Sequence, residues 1–231
     1  AKPQAGLLAP LGVTALIKEA RMGERRGKSI GLGLLGGVAA TLIVVLPFAW
    51  GENIFTWLVD KYAATLSGYP HATLSTGNLM FLLGGNWVDE STALIGSITY
   101  GQIGLVLMAL SFAAGVAVYV LGRGRSRLFL SAALTMQLVF ALGTKMHERY
   151  TFGADVLALV IAAYRPKRMA LPLLFGLASY ICYTGGLPGD AIFDLKWATL
   201  FQGAAVALTA AALYKSLHEE KTEAVLTEVK A

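Results

Sequence analysis

Long apolar stretches alternate with short polar ones along this chain, and the apolar stretches are continuous rather than alternating in character. Residues 29–50 run without a charge and end near Pro47 and Trp50, the residue types expected where a helix meets the membrane interface. Further apolar runs cover residues 100–121, 128–144, 153–164, 169–185 and 197–214. The run 153–164 is short and contains Asp155, so a span there must be embedded in protein or borrow from the polar motif before it. Continuous runs rich in Ala, Leu and Gly exclude a membrane β-barrel, whose strands alternate at a period of two. The pattern predicts an all-α, polytopic transmembrane bundle of about six spans. Within the long connection 51–99, residues 53–67 place Ile54, Trp57, Leu58, Tyr62 and Ala63 near one helical face. That face suits a helix lying in the interface, or equally a loop helix packed on its own bundle.

Composition agrees: 56% of the 231 residues are hydrophobic and 14% charged, which is not a soluble balance. The net charge of +5 reads as the basic bias of cytoplasmic loops rather than as a nucleic-acid footprint. Six spans with the N-terminus inside put 15 Lys and Arg on the inner side, and only Lys61, Lys145, Arg149 and Lys196 outside. The expected organisation is therefore a cytoplasmic segment 1–28 and a transmembrane domain 29–214 with the outer loop 51–99. A cytoplasmic tail, 215–231, completes it as a surface helix or a disordered stretch. Segment 1–28 carries no signal-peptide pattern, and no glycosylation acceptor occurs at Asn53, Asn78 or Asn86. Cys182 stands alone, which excludes an internal disulfide and a zinc site of paired cysteines.

Gly31, Gly33 and Gly36 match a dinucleotide fingerprint in spacing, but they sit in an apolar span with no strand before them. Gly33 and Gly37 better suit close approach of another helix. A phosphate-loop reading of Gly27-Lys28-Ser29 fails because Met22 occupies the required upstream glycine position. The informative cluster is Lys145, His147, Glu148 and Arg149, four ionisable side chains arriving together at the outer end of the third span. If the segment is helical, Lys145 and Arg149 at i, i+4 form a clamp for a phosphate, with Glu148 orienting the arginine or His147. The competing reading is a polar interfacial cap. Tyr69, His71, Asn78, Asn86 and Trp87 lie in an outer loop rich in Asn, aromatics and Gly, a composition that suits a hydroxyl-rich ligand, since aromatic faces stack on sugars while amides bond hydroxyls. Asp155 reads as a group bonding a neighbouring helix, and Asp190 and Asp194 as residues of an outer turn. No metal pattern stands out, which leaves a divalent ion open and no cofactor implied.

Two segments together resemble a known family. Phe140–Ala163 (FALGTKMHERYTFGADVLALVIAA) is similar to the motif in the C-terminal half of GT-C superfamily membrane glycosyltransferases, in particular bacterial GPI-mannosyltransferase-like proteins. It is more distantly similar to the His-x-His-Glu-Lys motif of dolichol-linked-glucose transferases. Tyr69–Ser91 (YPHATLSTGNLMFLLGGNWVDES) resembles that family's Tyr-Pro-x-Ala and Leu-x-Gly-Gly-Asn-Trp loop. The two segments cover about 50 residues. The resemblance implies a multi-pass protein of the bacterial inner membrane, part of an enzyme transferring a sugar such as mannose from a polyprenyl-phosphate donor on the extracytoplasmic face. It places His147, Glu148 and Arg149, with Lys145 assisting, at the donor phosphate. Partners would be membrane lipid, the lipid-linked donor and a preceding N-terminal membrane half or partner chain carrying the catalytic acid. Without that acid the chain alone would bind donor but not turn over. Gly153, where the family has proline, and Asp155 depart from the pattern. A non-catalytic subunit or transporter-like bundle that binds a lipid phosphate or other anion through the same cluster is the alternative from another class.

Overall fold

The computed structural model describes residues 3–21, 24–122, 127–186 and 192–229. It is largely helical, and four of its helices are long and apolar enough to cross a membrane: Gly27–Val45, Tyr100–Leu121, Pro166–Gly186 and Leu195–Lys215. The chain divides into two units, one of Ala1–Pro3 with Gly12–Tyr69 and one of Gln4–Leu11 with Pro70–Ala231.

Three helices are associated with the first stretch of chain: α1 (Ala9–Ala20), α2 (Glu24–Val45) and α3 (Ile54–Ser67). The spanning portion of α2 has no residue buried within the structure, and Leu32, Leu35 and Ile43 are about 70% exposed. Such a surface is stable in lipid and not in water. The apolar run continues to Trp50, yet the helix stops at Val45, because Pro47 lacks an N–H and disfavours helical geometry in the residue before it. The start of α3 is set by Asn53, whose Oδ1 accepts from Phe55 N at 3.0 Å and Thr56 N at 3.4 Å. Ile54, Trp57 and Leu58 are its more buried positions, as the amphipathic pattern predicts, while Tyr62 is exposed.

In the second unit a short α4 (Leu79–Leu82) precedes the helices α5 (Tyr100–Leu121), α6 (Arg127–Leu142), α7 (Phe152–Tyr164), α8 (Ala170–Gly186) and α9 (Leu195–Val229). Each apolar run read as a span forms a helix, with ends displaced by a few residues except at the C-terminal end of α9. Helix α5 packs on α6, α6 on α7 and α9, and α8 on α7 and α9. Leu130, Ala133 and Met136 of α6 meet Ala154 and Ala158 of α7, Phe175 of α8 and Ala205 of α9 in one core. Helix α6 has 16 residues and α7 has 13, about 24 and 20 Å, short of the roughly 30 Å hydrocarbon core. Ten of the 16 residues of α6 are buried, so its length is matched to protein neighbours rather than to lipid. The apolar faces of α5 and α9 point the other way: Leu105, Val106 and Leu110, and Leu200 and Leu208, are exposed. The tail is helical through Val229 as a continuation of α9. The basic turn around Arg125 and the outer-turn residue Asp190 lie outside the described residues.

Close helix contact rests on small residues. The buried stripe of α5 is Gly104, Ser111, Gly115 and Tyr119. A Cβ at Gly115 would collide with Thr135 Oγ1, and one at Gly104 with Thr144. Three buried hydroxyls bond their own helices: Ser111 donates to Leu107 O at 2.7 Å, Thr135 to Ser131 O at 2.8 Å and Thr209 to Ala205 O at 2.9 Å. Gly115→Ala should therefore destabilise the bundle by about 1–3 kcal/mol through overpacking. Gly176→Ala should be near neutral, because nothing lies within 4 Å of where the added methyl would stand. Thermal unfolding in detergent separates them, and equal midpoints would contradict the tight α5–α6 contact.

Candidate functional site

The segment 143–151 leaves the helix instead of prolonging it. Helix α6 ends at Leu142, Gly143 closes it with its N–H on Val139 O at 2.8 Å, and Lys145 takes a left-handed φ of 58°. Residues Met146–His147 then form β4, and Glu148–Thr151 a 3-10 turn leading into α7. Strand β4 pairs in parallel with β1 (Thr73–Leu74), Thr73 opposite Met146 and Leu74 opposite His147. Lys145 N donates to Ala72 O at 2.9 Å, and the Thr144 hydroxyl donates to the same carbonyl at 3.2 Å. The two stretches singled out from the sequence are thereby joined, although 73 residues separate the paired positions. One expectation is corrected: because the segment is strand and 3-10 turn, Lys145 and Arg149 do not share a helical face and form no i, i+4 clamp.

Glu148 instead organises the cluster. Its Oε2 meets His147 Nδ1, and its Oε1 lies 3.3 Å from Arg149 Nε. Its carboxylate thus touches both neighbours. His147 is 9% exposed and its ring lies 5.7 Å from Tyr150, whereas the Arg149 side chain is 43% exposed. The end of α8 makes room, since a Cβ at Gly186 would stand 3.1 Å from Glu148 Cγ. One turn into α7, Ser179 of α8 bonds both Thr151 Oγ1 at 2.8 Å and Asp155 Oδ2 at 2.7 Å. Asp155 thus bonds the neighbouring helix and ties the 3-10 turn to α8. Gly153 faces Met136, whose terminal methyl occupies the space a side chain would take.

Residues 70–91 pack against this segment. Asn78 is 1% exposed; its amide donates to Phe140 O and Gly143 O at 3.3 Å each, and its Oδ1 accepts from Phe81 N at 3.0 Å, starting α4. Asn86 Oδ1 accepts from Ser75 N at 2.9 Å, holding Ser75 at a φ of 47°. Both amides are thus engaged in shaping the loop. Gly77 lets it approach α9, where a Cβ would lie 2.6 Å from Ala198 Cβ. Trp87, at a φ of 61°, is 62% exposed and meets His71 edge-on at 5.7 Å, so an aromatic face is presented at the lip. Tyr69 is exposed and belongs to the first unit.

Glu90 enters the site through Lys145, with Nζ 2.7 Å from Oε1 and side chains 34% and 26% exposed. Next to it, Asp89 accepts from Ser91 Oγ at 2.6 Å and Ser91 N at 2.8 Å, bonds that hold its carboxyl below the ordinary value. Among the described residues no group of three His, Cys, Asp or Glu side chains is placed to hold a metal ion.

No protein-family model, curated protein or solved structure matches this chain. The site is accordingly read from its own geometry. The cations Lys145 and Arg149 and the imidazole of His147 stand with the carboxylates of Glu90 and Glu148, and the strand that pairs with this segment also accepts from Trp87 N at Thr73 O, 2.9 Å away. Cations held at fixed positions bind an anion without reorganising, and a rim of exposed aromatic surface suits the sugar or lipid attached to it. Glu90 does not stand out in the sequence, since no spacing rule links it to a lysine 55 positions later.

Proposed function

We propose that the chain is a multi-pass membrane protein of six spans with both termini on the cytoplasmic side, and that its outer cap binds the phosphate of a polyprenyl-phosphate-linked sugar for transfer on the extracytoplasmic face. Support for the span count comes from six apolar helices and from the division of Lys and Arg, 15 against four. The reading rests chiefly on one observation: the β1–β4 pairing joins the two segments that resemble GT-C glycosyltransferases, so that the basic cluster follows a strand whose partner, at Thr73 O, also accepts from Trp87 N.

The chemistry follows from charge. When the bond between the sugar C1 and the phosphate oxygen breaks, negative charge grows on the leaving phosphate. A fixed cation beside that oxygen stabilises the transition state more than the bound donor, so it raises the rate and not merely the affinity. Arg149, more exposed than His147 and steered by Glu148, is assigned that contact. Glu148 keeps the guanidinium from rotating away. The aromatic pair His71 and Trp87 would pack on the sugar.

Arg149→Ala in the full-length protein should slow donor-dependent transfer about 10²–10³-fold, by analogy with loss of one oxyanion donor, and Arg149→Lys should recover only part of it. Arg165→Ala, on the exposed turn between α7 and α8, should transfer at the unaltered rate. Equal rates for the two alanine variants would reduce the cluster to an interfacial cap. Orientation has its own test in a Cys182→Ser background. An impermeant maleimide applied to sealed cells should label Ser91→Cys and leave Lys167→Cys unlabelled, and the reverse pattern would invert the topology.

A further inference from the structure

Glu90 is held more firmly than a surface acid of a loop. Its N–H donates to Pro70 O at 2.7 Å, and its carbonyl accepts from Gly101 N at 2.9 Å in the first turn of α5. The approach is close there: a Cβ at position 101 would lie 3.3 Å from both Glu90 O and Oε2. Its carboxylate reaches across to Lys145, whose own backbone is fixed by pairing with Ala72 and by the left-handed φ of 58°. The other acids of the cap are committed elsewhere. Asp89 is bonded to Ser91, Glu148 to His147 and Arg149, and Asp155 to Ser179. Among the described acids of the cap, Glu90 is the one whose carboxylate is held by a lysine rather than by its own loop or helix neighbours.

An ion pair of this exposure contributes little, so a phosphate with more charge and more oxygens displaces one carboxylate from a lysine readily. We infer that Glu90 is the carboxylate that receives the acceptor's proton, kept on Lys145 until the donor phosphate takes its place there. This rests on the reading of the cap as a lipid-phosphate site. In the step, the acceptor hydroxyl oxygen forms a bond to the sugar C1, and the bond from C1 to the phosphate oxygen breaks. The electron pair of that bond leaves on the phosphate, which Lys145 and Arg149 hold, and the acceptor proton passes to Glu90. No further reactant is needed for balance. The arrangement makes the base available only when donor is bound, which protects the site from idle proton transfer. It also puts the catalytic acid in this chain, where the family resemblance alone would seek it in a preceding segment.

The test uses full-length protein with two readouts, binding of farnesyl phosphate by calorimetry and transfer from polyprenyl-phosphate sugars. Glu90→Gln should bind farnesyl phosphate roughly two- to fivefold more tightly, since the competing carboxylate is gone. It should transfer about 10²-fold or more slowly, the scale of a lost general base. Glu90→Asp, one methylene short, should transfer about 10–100-fold more slowly than wild type, and it reads the same point if the glutamine variant fails to fold. Wild-type transfer rates in either variant, or weaker farnesyl phosphate binding by Glu90→Gln, overturn the inference while leaving the phosphate site standing. Binding without transfer by the wild-type protein also overturns it, in favour of a non-catalytic anion site. Absence of farnesyl phosphate binding by wild type removes the lipid-phosphate reading itself.

Discussion

The two-residue parallel pairing of Thr73–Leu74 with Met146–His147 is the contact on which the rest of the cap depends. A connection as long as 51–99 has no helical pattern over most of its length, and in isolation a two-residue strand has too few bonds to persist. Here it is anchored from both sides. The Asn78 amide caps the carbonyls at the end of α6, and Lys145 N and Thr144 Oγ1 converge on Ala72 O. These bonds fix where α6 ends, and so where the four ionisable residues after it point. Among the described residues, the non-glycine positions with positive φ are Ser75, Trp87 and Lys145, and all fall in this cap. Left-handed geometry in such residues costs energy, and it collects where surrounding contacts over-determine the backbone, a condition common at functional sites.

The bundle below supplies what the cap requires. An apolar solvent gives no hydrogen bonds, so the buried hydroxyls Ser111, Thr135 and Thr209 of α5, α6 and α9 each return their proton to their own helix. Glycines at 104 and 115 bring α5 against α6 closely enough that Thr144, at the rim, is held by packing as well as by Ala72. Short, largely buried α6 and short α7 then meet at the cap, and their junction carries His147, Glu148 and Arg149. A chemical site at a membrane surface needs helices that stop at a defined depth. The burial of α6 provides that stop more firmly than lipid contact would.

Much of the bundle was legible because helical spans write a continuous apolar signal. The Asp155 bond to a neighbouring helix followed from the cost of a charge in an apolar segment. The cap was legible only as composition. A two-residue strand has no periodicity, and the left-handed turn at Lys145 carries no glycine to announce it, so the run 145–149 read as a helical clamp. The roles of Asn78 and Asn86 were hidden for a related reason: their partners are backbone groups brought near by tertiary structure, 62 and 65 residues away for Asn78. Glu90 and Lys145 met through the same pairing. Residue types marked the neighbourhood of the site, and only the fold could assign the bonds within it.

The pairing can be tested most directly by a cross-link across it. In a Cys182→Ser background, Thr73→Cys and Met146→Cys place two thiols on directly opposed positions of the parallel ladder, at a separation that suits a disulfide. Mild oxidation of the protein in native membranes, followed by digestion and mass spectrometry, should recover a disulfide-linked pair of peptides spanning the two loops. Two thiols that stay unlinked under oxidation, both labelling fully once the protein is unfolded, would contradict the pairing and with it the assembly of the cap.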